Sequence, residues 1–249
     1  MTEPGGPLGV TFSKRGLHGT VVESLGQQIV AGELAPGTVL DIEQLEQELS
    51  VSRTVLREAF RVLSAKGLMD ARARHGTYVT SRNAWNALDS DVIRWSAAGP
   101  VNTGFFAALN EVRRIFEPSV ARLAAERRSE EDLEALEHAV TMLATAGRRR
   151  DVRGYVSADV AFHQALLIAA HNELLSQLAP VLEHSLRLRD TFVAHHHGSD
   201  DEAAAEAHRG VFEAVRNQDG GQAELRMREL LASAAEDVEH ALAARRPSD

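Results

Sequence analysis

Val51-Ser52-Arg53-Thr54-Val55-Leu56-Arg57-Glu58-Ala59-Phe60-Arg61-Val62-Leu63-Ser64-Ala65-Lys66-Gly67-Leu68 is the stretch whose reading decides the fold, and Met69 to Thr80 completes it. Ser52 is a good N-cap, because its hydroxyl can accept from the free N–H groups of a helix start. Val55, Leu56, Ala59, Phe60, Val62 and Leu63 recur at helical spacing, and Gly67 supplies the left-handed residue that closes the helix. Arg53, Thr54, Arg57 and Arg61 stand on the other face. A helix that leads with arginine and a hydroxyl can enter the major groove, reading guanine edges and phosphates with its first turns. Beyond Gly67, two short extended runs flank the basic tip Arg72-Ala73-Arg74-His75-Gly76. A small hairpin with such a tip can reach a phosphate strand or a minor groove. The pattern predicts a winged helix-turn-helix.

An ordinary solvated basic face is the competing reading of any Arg-rich helix, and local charge separates the two. Between Arg53 and Arg82 the bases are Arg53, Arg57, Arg61, Lys66, Arg72, Arg74 and Arg82, against only Glu58 and Asp70. The whole chain carries a net charge of −9, so this basic island runs against its surroundings. Such an island is the electrostatic footprint of phosphate binding.

The residues also carry a resemblance. Pro36-Gly37-Thr38-Val39-Leu40, Val51 to Ala59, Gly67-Leu68 and His75-Gly76-Thr77-Tyr78-Val79 resemble the DNA-binding domain of GntR-family transcription regulators. The resemblance covers roughly the first third of the chain. It implies DNA contacts from Arg53, Thr54 and Arg57 on the recognition helix and from His75 and Gly76 at the wing tip. Many relatives carry an arginine in the preceding helix, where this chain has Asp41-Ile42-Glu43-Gln44. No contact is expected from that helix.

Composition frames the rest. With 249 residues the chain is long enough for two domains and a sizeable core. It is 44% hydrophobic and 25% charged, and it has no cysteine. Disulfides and thiolate metal sites are thereby excluded, and a reducing cytoplasm suits the chain. No apolar run approaches the roughly 18 residues of a membrane helix, and the N-terminus lacks the apolar core of a signal peptide. Aromatic residues make up only 5%, and Ala, Leu, Glu and Arg dominate after residue 100, which points to helices.

The expected architecture is mainly α, a winged helix-turn-helix followed by an all-α bundle. Residues 1–16, with Gly5, Gly6, Pro7 and Gly9, read as a flexible tail, and 17–80 as the DNA-binding domain. Residues 81–101 read as a linker in which Trp85 and Trp95 are packing anchors. The stretch Arg82 to Trp95 resembles a linker in the sugar-acid-responsive subset of these regulators, which includes the galactonate-operon repressors. Residues 102–245 read as about six helices. In the first of these, from Thr103 to Arg127, Leu109, Val112, Ile115, Phe116, Val120 and Leu123 are expected inward, with a kink at Pro118. The second runs from Ser129 to a stop at Gly147, the third over 152–170 and the fourth over 173–193. The fifth spans 202–217, and the sixth continues to near Ala244.

Any chemistry sits in this helical half. Asp159 and His163, four apart, project from one face of the third helix, and His208 lies on the fifth. Spacing alone fits a solvated pair or a satisfied core histidine as well as a metal site. The helical half, over about residues 103–243, is similar to the ligand domain (FCD) of the FadR-type branch of the GntR family. That resemblance implies a divalent ion, Zn²⁺, Ni²⁺ or Mn²⁺, held by Asp159, His163 and His208. The position of the family's fourth ligand falls at Leu230, so a weaker hold is implied. Alternatively, the same polar groups bind the effector directly. Arg113 stands where the family carries a cavity-facing arginine, a fork suited to a carboxylate, and it is equally placed to pair with Glu117 four residues on. The tract His195-His196-His197 reads as a mobile loop or a loop metal site.

Two function classes follow. The first is a transcription regulator, by family habit a repressor. It would bind double-stranded operator DNA as a homodimer held through its helical half and respond to a small carboxylate effector, a sugar acid. The second is a metal-dependent enzyme acting on a sugar acid, with Asp159, His163 and His208 activating water. An enzyme needs a general base beside the metal and a use for the basic winged helix, and the sequence offers neither.

Overall fold

In a computed structural model of the chain, residues 16–72, 76–98, 103–193 and 201–244 are described, and the chain divides into two compact units, 1–102 and 103–249. The expected tail up to Arg15, the wing-tip His75 and the tract His195 to His197 lie outside the described residues.

The first unit contains α1 (Gly16–Ala31), β1 (Val39–Leu40), α2 (Ile42–Leu49) and α3 (Arg53–Ala65). It continues with β2 (Met69–Arg72), β3 (Gly76–Val79), a 3-10 turn at Arg82–Ala84 and α4 (Ser90–Ala98). β3 lies between β1 and β2, antiparallel to both, with Tyr78 opposite Val39 on one side and Asp70 on the other. Asp41 caps α2, its carboxylate accepting from the backbone N–H of Glu43 at 2.8 Å and of Gln44 at 3.3 Å. Ser52 caps α3 as expected. Gly67 follows α3 with φ +77°, and a Cβ there would stand 2.2 Å from the Ala84 carbonyl oxygen. Both the backbone conformation and the space demand glycine. Leu25, Ile29, Leu56, Ala59, Leu63, Leu68 and Val79 form the apolar core.

The stretch expected to be a linker enters that core. Val92 and Trp95 of α4 are buried in it, and Trp85 packs against it. The Trp95 ring lies so close to Gly26 of α1 that a Cβ there would meet it at 2.5 Å.

The second unit is all helix among the described residues. Its elements are α5 (Thr103–Arg127), α6 (Glu130–Arg149), α7 (Val152–Ala169), α8 (Glu173–Ser176), α9 (Ala179–Val193), α10 (Asp201–Arg216) and α11 (Gly220–Ala244). Helix α6 packs on α7 and α5 on α11, with α10 against both α6 and α11. The core runs through Leu136, Leu143, Phe162, Leu166, Val211, Phe212 and Met227, and it includes Leu230. Ser129 and Asp132 form a reciprocal capping box at the start of α6. No helix among the described residues is long and apolar enough to cross a membrane.

Local expectations fail at three places. α6 runs through Gly147 to Arg149, and Arg150 takes the left-handed turn instead, with φ 53°. The expected helix over 173–193 is divided into α8 and α9. Pro180 cannot donate to the preceding turn, so the chain restarts around it. Val112 and Ile115, expected inward on α5, are 39% and 70% exposed. Their place in the interior is taken by Arg113 and Glu117, both buried, which turns the apolar pair outward.

Candidate DNA-binding face and candidate effector site

Arg53, Thr54 and Arg57 are exposed on the first two turns of α3, while Leu56, Ala59, Phe60 and Leu63 are buried on its opposite side. Neither Arg53 nor Arg57 pairs with a carboxylate among the described residues, whereas Arg61 contacts Glu58 at 3.1 Å. The start of the helix is therefore the part with uncommitted cations. Gly76 opens β3 at the wing with φ +78°. Arg72 packs over the Tyr78 ring, whose hydroxyl donates to Asp70 at 2.9 Å, so the hairpin stem is braced from within.

In the helical unit four helices bring one polar cluster together. α5 contributes Arg113 and Glu117, α7 contributes Asp159 and His163, α9 contributes Arg189, and α10 contributes His208. Asp159, His163 and His208 are all buried, and one candidate ligand atom from each lies within 4.8 Å of the other two. Arg113 Nε donates to Glu117 Oε1 at 2.5 Å. Glu117 Oε2 lies 2.5 Å from His163 Nδ1, an electrostatic contact without hydrogen-bond alignment. Arg189 approaches Asp159 Oδ2 at 3.6 Å. The buried Phe162 ring stands edge-on to both imidazoles, with centroids 5.6 Å from His163 and 5.1 Å from His208, and this fixes their planes.

The imidazole nitrogens carry the chemistry. His208 Nδ1 lies 2.7 Å from the Ala204 carbonyl oxygen, which can only accept, so the ring hydrogen of a neutral His208 sits on Nδ1. Its Nε2 then turns a lone pair toward Asp159 Oδ1 at 2.9 Å. His163 turns its edges the same way, Nδ1 toward Glu117 and Nε2 3.4 Å from the same Asp159 oxygen, though no aligned hydrogen bond fixes its ring hydrogen. At His208 acceptor faces acceptor. Something positive, either an added proton or a cation, belongs between them. In metal sites the outer ring nitrogen of a ligating histidine is held by a carboxylate or a backbone carbonyl, and Glu117 and Ala204 stand in those positions. The donor set of two imidazoles and one carboxylate therefore fits a divalent ion.

The titration directions agree. Burial pushes the Glu117 carboxyl up, but the Arg113 and His163 charges reverse this and hold it at about 2. Burial lowers the His163 imidazole, yet the charge of Glu117 and the contacts to Asp159 and Glu117 raise it above its usual value. Asp159 is held well below the carboxylate range, because His163 and His208 outweigh its burial.

The residues singled out from the sequence in this half do meet, and others join them. Asn110, Ser185 and Arg189 give no signal of their own, and Glu117 is placed only as a partner open to Arg113. Asn110 and Glu117 sit three residues before and four after Arg113, so a search along its helix face finds them. Ser185, also buried, donates to Asn110 Oδ1 at 3.5 Å, a weak hydrogen bond between α9 and α5 one turn from Arg189 and Arg113.

Comparison with known proteins gives this geometry its setting. Residues 17–79 match the model of the bacterial regulatory proteins, gntR family, and residues 108–233 match that of the FCD domain. The chain is 35% identical to the galactonate operon transcriptional repressor of Escherichia coli (strain K12), over 86% of this chain and 93% of that protein. It is 34% identical to the HTH-type transcriptional regulator LutR of Bacillus subtilis (strain 168), over 79% of this chain and 89% of that one. Among solved structures, Lar of Listeria monocytogenes shares the fold, with a TM-score of 0.64 at 20% identity over 93% of this chain and 99% of that one. These relatives are regulators, and the metal-dependent enzyme finds no support among them. A winged helix with a basic leading face joined to an FCD domain places the chain in the GntR family, as a DNA-binding transcription regulator.

Proposed function

We propose that the protein is a homodimeric repressor of the cytoplasm, released from its operator by a small sugar acid that binds in the helical unit. Operator contacts come from Arg53, Thr54 and Arg57, with His75 and Gly76 at the wing. Arg113, Asp159, His163 and His208 line the effector site, and Asp159, His163 and His208 hold a divalent ion there. The observation that carries this reading is the buried set of imidazole nitrogens turned toward one carboxylate oxygen, a cluster completed only by something positive. When bound, a divalent ion supplies open coordination positions to an acid's oxygens. The Ser185–Asn110 pair adds hydrogen-bonding groups suited to hydroxyls, which favours a polyhydroxy acid over an alkyl one. The likeness to a galactonate operon repressor points the same way. Assembly through the helical unit is supported by the exposed pair Val112 and Ile115 on α5.

Gel shift with the DNA upstream of the protein's own gene tests this. Specific binding that is lost on adding D-galactonate or another aldonate supports the reading, and binding indifferent to every aldonate overturns the effector class. Sedimentation of the full chain should give a dimer, and Ile115→Glu should shift it toward monomer. Wild-type sedimentation as a monomer at micromolar concentration removes the dimer.

A further inference from the structure

Two guanidinium groups reach the polar cluster, and they are not used alike. Arg113 is enclosed, and its Nε donates to Glu117 at 2.5 Å. Arg189 is the looser of the two. Its side chain keeps 13% exposure, and its contact with Asp159 Oδ2, at 3.6 Å, lies beyond hydrogen-bond reach. A guanidinium has five donors in a planar fork, and the fork matches a carboxylate by two parallel bonds. Arg189 therefore holds a nearly buried fork against a single oxygen that it does not fully engage. α9 also sets Arg189 one turn beyond the buried Ser185, on the same face of the helix. The group best able to take an incoming acid thus stands beside the hydroxyl best able to take its next oxygen.

We infer that Arg189 guards Asp159 in the ligand-free cluster and, when the effector arrives, leaves Asp159 to clamp the effector's carboxylate. Arg113 is then a positioning residue, holding Glu117 so that Glu117 orients His163. The inference rests on the helical unit being the effector site, and it names the residue that reads the acid. Its consequence is a coupling. While Arg189 stands at Asp159 Oδ2, its positive charge opposes a cation held between the other oxygen, Oδ1, and the Nε2 atoms of His163 and His208. An acid that draws the guanidinium away removes that repulsion, so acid and cation each strengthen the binding of the other. The reciprocity is thermodynamic necessity.

Titration calorimetry of full-length, chelator-stripped protein with Mn²⁺ alone tests the guard without assuming any effector. Arg189→Gln should bind Mn²⁺ roughly tenfold more tightly than wild type, the scale on which groups behind a ligand tune metal affinity. Arg189→Lys, which keeps the charge, should stay near wild type. Arg113→Gln should bind more weakly, because His163 loses its orientation. Equal or weaker Mn²⁺ binding by Arg189→Gln, or none in either protein, overturns the guard. A second arm adds D-galactonate or D-gluconate, with galactitol as the partner lacking a carboxylate. Wild type should bind Mn²⁺ more tightly with an aldonate and not with galactitol, and Arg189→Gln should lose that gain. A gain that survives in Arg189→Gln overturns the clamp. No gain in wild type ends the sugar-acid reading, and the titration without acid still decides the guard.

Discussion

Each unit of this protein buries a charged cluster, and the two are finished differently. In the DNA-binding unit, Lys66 at the end of α3 reaches both oxygens of Asp89 and one of Asp91 at 2.9 Å. Asp91 also accepts from Arg94 at 2.8 Å, and Arg94 grips Glu23 of α1 through both terminal nitrogens at 2.5 and 2.7 Å. Asp89 accepts in addition from the backbone N–H of Asp91 and Val92, starting α4. Donor alternates with acceptor throughout, and Arg94 rises while Glu23 and Asp91 fall from their usual values. The helical unit instead sets the His208 lone pair against a carboxylate and leaves a guanidinium at 3.6 Å. A closed network holds a fold together. An incomplete one calls for a ligand.

The comparison breaks first at Lys66. Replacing it with alanine leaves Asp89 and Asp91 buried without their cation, and removing one partner of a buried pair costs ~3–5 kcal/mol. Denaturant unfolding of Lys66→Ala should show a loss of that size in the first unit. A loss below about 1 kcal/mol, the scale of exposed pairs, would put the closed network on the level of a surface contact.

The helical unit has its own dependence on pH. Glu117 titrates at about 2 in the folded chain against 4.5 as an ordinary glutamate. Its lowered value means that its contribution is fully present above pH 4.5 and is lost as pH falls toward 2. The span corresponds to something on the order of 3 kcal/mol. Melting of wild type and Glu117→Gln between pH 5 and pH 2.5 should converge as the pH drops, and parallel curves would deny Glu117 this role.

Metal should act on one cluster and not the other. A divalent ion at about a hundred times its dissociation constant adds ~2.7 kcal/mol to the state that binds it. Mn²⁺ or Zn²⁺ should therefore raise the melting temperature of stripped protein and EDTA should return it, with Asp159→Ala insensitive to both. The same response in Asp159→Ala would move the ion elsewhere.

Smallest are the effects on α3, where charges are exposed rather than buried. Arg53→Ala and Arg57→Ala should each cost ~1–3 kcal/mol of operator affinity with the fold intact. Arg61→Ala should fall within roughly 0.5 kcal/mol in folding stability, because the Arg61 side chain is 77% exposed and, among the described residues, pairs with a neighbour on its own helix. Gel shift and melting separate the two quantities. Wild-type DNA affinity in both Arg53→Ala and Arg57→Ala would remove the reading of this face.

Sequence alone determined what depends on near neighbours. Ser52, the apolar spacing behind Arg53 and Arg57, and Gly67 are all readable because caps and periodicity act within one or two turns. The four-residue step from Asp159 to His163 is equally local, and so was the pairing open to Arg113 and Glu117. Only the tertiary structure decided what crosses from one helix to another. Trp95 needs Gly26, and Lys66 needs Asp89, 23 positions away, so residues read as a linker belong to the core of the first unit. Val112 and Ile115 face outward because charged groups occupy the interior of α5, a reversal that hydrophobicity along one strip cannot foresee. Arg189 joined the cluster for the same reason: no spacing along α9 announces a partner on α7, and only packing brings the guanidinium to Asp159.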